Sequence, residues 1–140
     1  MSARFFLDTN IFVYSFDTHA TAKARKAAQL IEEALTSRKG IVSYQVVQDF
    51  FNLALKRFSQ PMTPPEAQQY LATVFRPLLA VQSSAALFGE ALHTKETKRI
   101  SWYDSLIVSA AIQADCDRLY TEDLQHLQKF GKLQVVNPFI

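Results

Sequence analysis

The alternation of short apolar runs with helical stretches predicts an α/β fold, with parallel βαβ units and helices covering both faces of the sheet. Three observations predict it. Strand-like runs recur at RFFL (4–7), IVS (41–43), LLAVQ (78–82), RLYT (118–121) and LQVV (133–136). Between them, apolar residues repeat at helical spacing. Two of the runs, in FFLDTN (5–10) and RLYTED (118–123), stop on acidic and small polar residues, which points to a site built where strands end.

Taken in order, Phe5, Phe6 and Leu7 mark the first strand as buried. ATAKARKAAQLIEEALTS (20–37) places Ala27, Leu30, Ile31, Ala34 and Leu35 on one helical face. Gly40 precedes the second strand, and VVQDFFNLALKRF (46–58) reads as a helix with Val46, Val47, Phe50, Leu53 and Ala54 on one side. Thr63-Pro64-Pro65-Glu66 is a helix start, with a threonine cap, prolines in the first turn and a glutamate completing a capping box. That helix should stop near Arg76, because Pro77 follows. A further helix begins near Ser83 or Ser84. The next spans about 102–115, with Leu106, Ile107, Ala110, Ala111 and Ala114 on its apolar face. The order of the strands cannot be read from the pattern.

The 140 residues predict a single domain over 1–140. Hydrophobic residues at 49% and charged residues at 20% fit a chain with a real core. No run approaches a membrane span, and no signal peptide opens the chain. Cys116 is the single cysteine, so no intrachain disulfide forms and a cytoplasmic setting is expected. A net charge of +2 is too small to announce a nucleic-acid binder.

In a parallel sheet, ligands bind in the crevice outside the carboxyl ends of the strands. Asp8 ends the first strand, and Glu122-Asp123 follow a later one. Asp104 lies in the first turn of SWYDSLIVSAA, where the helix dipole favours an anion. Asp49 lies early in the helix after the second strand. Each alone reads equally as a cap or turn residue. Together, acidic positions from four segments reach one edge, and crowded carboxylates either share protons or bind a cation. Oxygen ligands without His or Cys suit Mg²⁺ or Mn²⁺, whose usual work is phosphate chemistry. Thr9, Asn10 and Thr121 are small polar neighbours suited to orienting carboxylates or water. Ser43 and Ser105 are weaker candidates. Glu122 points away from Asp123 on an extended backbone and is a reserve supporting residue. His19, His93 and His126 lie outside these motifs.

FFLDTNIFVYSFD, IVSYQVVQDFFN, SWYDSLIVSAAIQADCDRLYTEDL and the terminal VVNPF resemble, in this order, the motifs of the PIN-domain ribonucleases. The resemblance is in particular to the toxin half of bacterial VapBC-type toxin–antitoxin pairs, and it spans nearly the whole chain. It implies a three-layer α/β/α fold around a short parallel sheet and a Mg²⁺- or Mn²⁺-dependent endoribonuclease. It also implies a homodimer, an antitoxin that folds over and blocks the active site, and RNA targets such as transfer or ribosomal RNA. Asp8, Asp49, Asp104 and Asp123 take the family's acidic positions. Asp8, Asp104 and Asp123 are then the metal ligands, and Asp49 supports a ligand water. Attack on an RNA phosphodiester would leave a 5′-phosphate. Two departures stand out. Asp49 replaces the usual glutamate, which shortens its reach by about 1.5 Å. Leu127 stands where close relatives often carry glycine, and a local loop change is expected there.

Lys95, Lys98 and Arg99 precede Asp104 and are candidates for the RNA backbone, as are Lys23, Arg25 and Lys26. Trp102 and Tyr103 either stack on a base or pack against the sheet. Phe12, Tyr14 and Phe16, with Phe50 and Phe51, belong either to an interface or to the core. Competing readings are a PIN domain that only binds RNA or a partner, and a haloacid-dehalogenase-like phosphatase with Asp8 as nucleophile. The second wants another aspartate two positions on, where this chain has Asn10, and a downstream lysine motif that it lacks. A response-regulator receiver domain fits less well, since this chain lacks the acidic pair before the phosphorylated aspartate and the strand-end lysine that such a domain carries.

Overall fold

The structure is a computed structural model describing residues 3–140, so the first two residues of the expected domain lie outside the described residues. Arg4–Leu7 (β1), Gly40–Ser43 (β2), Leu79–Val81 (β3), Cys116–Tyr120 (β4), Lys129–Phe130 (β5) and Leu133–Val136 (β6) form one sheet. Their order is β3-β2-β1-β4-β6-β5. Phe6 faces Ile41 on one side and Leu119 on the other, and both pairings are parallel. β4 and β6 are also parallel, which leaves β5 as the antiparallel exception. The chain winds outward from β1 through β2 to β3, then returns to the other side of β1 as β4. The switch point therefore lies between β1 and β4.

The helices are Thr9–Tyr14 (α1), Thr21–Ser37 (α2), Tyr44–Ala54 (α3), Pro64–Tyr70 (α4), Arg76–Leu78 (α5), Ala85–Lys98 (α6) and Trp102–Gln113 (α7). They flank the sheet, and its strands are correspondingly apolar: Phe5, Phe6, Leu7, Val42, Leu119 and Val135 are all buried. α7 is buried on every side from Ser105 to Ala111, a more complete enclosure than a single apolar stripe predicts. α6 covers its outer face.

Several elements differ from the sequence reading. α1 was not foreseen, because TNIFVY is poor in strong helix formers. Asp8 caps it and burial of Ile11 and Phe12 holds it. α3 spans Tyr44–Ala54 rather than 46–58; the backbone N–H groups of Lys56, Arg57 and Phe58 all converge on the Leu53 carbonyl and close the chain into a turn. The helix opened by the Thr63–Glu66 capping box does not stop at Arg76. It passes through a π turn at Leu71–Phe75 and ends at Leu78, with Pro77 inside the last turn. The wider turn relieves the clash between the proline ring and the preceding carbonyls. β5 adds an antiparallel edge to the parallel strands: a tight turn at Gly131, with φ +63°, folds it back onto β6.

Two positions carry stability predictions. α2 rests directly on β2 at Gly40, where an added Cβ would overlap the Cβ and Cα of Ala34. Gly40→Ala should destabilise the fold by about 1–3 kcal/mol, read as a lowered urea midpoint. Leu127 does not relax the loop; it holds the left-handed backbone of a glycine, with φ +69°. Its N–H donates to the Val135 carbonyl at 2.8 Å, which fixes that conformation. Leu127→Gly should raise stability by about 1 kcal/mol, measured by thermal unfolding.

Candidate active site

The carboxyl ends of β1 and β4 lie side by side, and a cavity of about 300 Å³ opens above them. Asp8 is its floor. The Asp8 N–H donates to the Tyr120 carbonyl at 3.1 Å, so the residue after β1 stays tied to β4. Its side chain accepts from the Thr9 N–H at 2.7 Å and from the Thr121 hydroxyl at 2.8 Å. Thr121 in turn accepts from the Asp123 N–H at 3.1 Å. One buried hydroxyl thus links the Asp8 carboxylate to the Asp123 backbone. Asn10 completes the link by donating from Nδ2 to Asp123 Oδ1 at 3.4 Å.

Burial pushes the Asp8 carboxyl up to about 6, against the opposing pull of its hydrogen bonds, and the charges of Asp123 and Asp104 add to the rise. Asp123 is raised as well, first by loss of water and then by Asp104 and Glu122. Asp104 enters from α7. Ser101 caps that helix by accepting the Asp104 N–H at 3.0 Å, which places Asp104 in the first turn as expected. Asp49 enters from α3, and burial raises its carboxyl while a hydrogen bond from Gln45 opposes the rise. Despite the shorter side chain, it lines the same cavity as the other three aspartates.

The structure therefore brings together Asp8, Asp49, Asp104, Asp123, Thr9 and Asn10, with Thr121 beneath them. Glu122 faces elsewhere. Its carboxylate accepts from the Tyr14 hydroxyl and pairs with Lys23 at 3.2 Å, so it braces α1 and α2 rather than the cavity. Lys95 and Lys98 lie in the last turn of α6 and Arg99 caps it; none of the three lines the acidic cavity. Lys98 instead lines a separate cavity with Cys116 and Leu133, the first residues of β4 and β6, at the opposite edge of the sheet. Ser43 and Ser105 are buried and line neither the acidic cavity nor its mouth. The reading missed Gln45 and Asn52, which share the cavity. Their signal was present: 45, 49 and 52 fall on one helical stripe with Asp49.

Among the described residues, no three carboxylate, imidazole or thiol groups close on one point as a ready-made cage. The donor set nevertheless suits a hard divalent cation completed by water. It is all oxygen, and its most buried member resists ionising without a nearby positive charge.

The chain is thus an α/β domain whose mostly parallel sheet gathers carboxylates at its switch point. Within that class the family is clear: residues 5–133 match the PIN domain, and the chain belongs to that family. No curated protein sequence matches it significantly. The solved structures similar to it share its fold at low identity. A toxin–antitoxin complex from Klebsiella pneumoniae matches at 18% identity and TM-score 0.67, with 98% of each chain covered. VapBC2 from Rickettsia felis, bound to a fragment of promoter DNA, matches at 23% identity and TM-score 0.60, covering 94% of this chain and 96% of that one. The sarcin–ricin-loop-cleaving toxin VapC20 from Mycobacterium tuberculosis matches at 16% identity and TM-score 0.54, covering 85% and 89%.

Proposed function

We propose that residues 1–140 act as one PIN domain with Mg²⁺- or Mn²⁺-dependent endoribonuclease activity, the toxin of a toxin–antitoxin pair. The observation that carries this is the meeting of Asp8, Asp49, Asp104 and Asp123, from four chain segments, around one cavity. Asp8, Asp104 and Asp123 would hold the cation, which when bound supplies charge stabilisation at the phosphoryl oxygens and a more acidic water. Asp8 provides the fixed anion, held by Thr9 and Thr121. Thr121 and Asn10 set the position of Asp123. Asp49, on the facing helix, orients the attacking water and accepts its proton. The water oxygen bonds to phosphorus as the bond to the 3′ oxygen breaks; the departing oxygen takes a proton from solvent water, leaving a 5′-phosphate and a 3′-hydroxyl.

The likeness to chains of toxin–antitoxin complexes supports an antitoxin partner; we propose that this partner covers the cavity and that the protein acts as a homodimer in the cytoplasm. Among the described residues, no helix is long and apolar enough to cross a membrane. The purified protein should cleave labelled RNA with Mn²⁺ or Mg²⁺, stop on chelation, and leave ends that ligate only where a 5′-phosphate is required. RNA left intact under all these conditions would sink the proposal and favour a domain that only binds.

A further inference from the structure

We propose that Gln45, Asn52 and Tyr103 form a subsite for one nucleobase of single-stranded RNA. The inference rests on the nuclease reading for the phosphate half of the nucleotide. The cavity has two chemically different walls. One is anionic, with Asp8, Asp104 and Asp123. The other is mixed: the amides of Gln45 and Asn52 flank Asp49 on one stripe of α3, and the Tyr103 ring stands on α7, all lining the same space. A nucleotide has the matching division, with a phosphate that needs a cation and a flat base that needs an aromatic face and edge partners.

Gln45 is the second, independent sign of a ligand. The residue is 6% exposed, yet its Oε1 has no hydrogen-bond partner, while its side chain also engages Asp49. A buried amide oxygen without a donor costs stability unless something in the cavity supplies one. Base amino and imino groups are such donors. Tyr103 gives the ring. Its exposure of 66% means that the protein's own core does not use it, in contrast to Trp102, which packs near Phe88 at 6.3 Å between ring centres. A volume of about 300 Å³ sits at the small end of ligand pockets and suits a single nucleotide unit.

The test measures binding without turnover. Fluorescein-labelled oligo(A), oligo(C) and oligo(U) RNAs are titrated with the full chain in Ca²⁺, with no Mg²⁺ or Mn²⁺, and followed by anisotropy. The wild type should bind with an order of preference among the three. Tyr103→Ala should weaken binding about tenfold, Tyr103→Phe should keep it within about twofold because the ring remains, and Asn52→Ala should flatten the preference. Circular dichroism melting checks that each variant is folded. The subsite is overturned if no RNA binds, if Tyr103→Ala binds as well as the wild type, if Tyr103→Phe falls as far as Tyr103→Ala, or if Asn52→Ala leaves the preference intact. Cleavage in Mn²⁺ separates the two ideas. Ring-dependent binding without any cleavage leaves the subsite standing and removes the nuclease. Cleavage with an unchanged KM in Tyr103→Ala does the reverse.

Discussion

Asp8→Asn should abolish RNA cleavage and, in metal-free buffer at neutral pH, make the protein more stable than the wild type. Both effects have one cause. Asp8 is 7% exposed, and its carboxyl is raised to about 6 by burial and then by its acidic neighbours. The folded state therefore holds this proton more tightly than the unfolded chain, where the carboxyl titrates near 3.8. Stability falls as pH rises through that interval, and above about 6 the buried charge costs about 3 kcal/mol. Asparagine has no charge to bury. It replaces the hydrogen bond from Thr121 imperfectly, at a cost of about 1 kcal/mol. The net gain should be about 2 kcal/mol at pH 7.5 and should vanish, or reverse slightly, below pH 4.

The check is a pair of thermal unfolding series across pH. Equal stability of the two proteins at every pH would refute the burial argument. Divalent cation adds a second reading. Mn²⁺ should raise the melting temperature of the wild type by mass action and leave Asp8→Asn nearly unmoved. A site that holds a strained anion ready for a cation trades stability for function in this way.

How much of this was legible depended on whether a residue's role was local. The strands β1, β2, β3 and β6 agree with their apolar runs to within a residue or so, since burial on both faces leaves a contiguous signature. The meeting of the four aspartates at one cavity was legible because strand ends and early helical turns are local features. The order β3-β2-β1-β4-β6-β5 was not, since pairing is decided between segments far apart in the chain. The placement of the basic residues was not legible for a similar reason. Lys95, Lys98 and Arg99 are near Asp104 in sequence, but α6 carries Lys98 to a cavity at the other edge of the sheet. α1 escaped because its stability is tertiary, and Pro77 misled because a π turn upstream accommodates it.

Phe50→Ala should be among the most damaging single core truncations, with a loss of about 4 kcal/mol. Phe50 has no exposed surface and sits within a run of aromatic rings. Its ring centre lies 5.0 Å from Tyr70, 5.2 Å from Phe75, 5.4 Å from Phe51 and 5.9 Å from both Phe16 and Phe58. These rings join the chain after α1, α3 and the chain after it, the end of α4 and the π turn into one packed body. No neighbour can swing in to fill the void without giving up its own contacts. Domains of ordinary stability hold about 5–15 kcal/mol in total, so the alanine variant should be barely folded at 37 °C. Phe50→Leu is the more informative change, with an expected loss of about 1–2 kcal/mol. It leaves a folded protein in which α3 is less firmly seated. Val46, Phe50 and Ala54 hold that helix on its buried side, while Gln45, Asp49 and Asn52 face the cavity from the adjoining stripe. A small shift of α3 therefore displaces Asp49 directly, and displacements of about 1 Å cost up to about a hundredfold in rate. Cleavage by folded Phe50→Leu should fall about tenfold or more. Phe130→Leu, a buried ring on β5 at the far edge of the sheet, should lose comparable stability and keep its rate. Equal rate losses in the two variants would show that general loosening, and not the seating of α3, sets the activity.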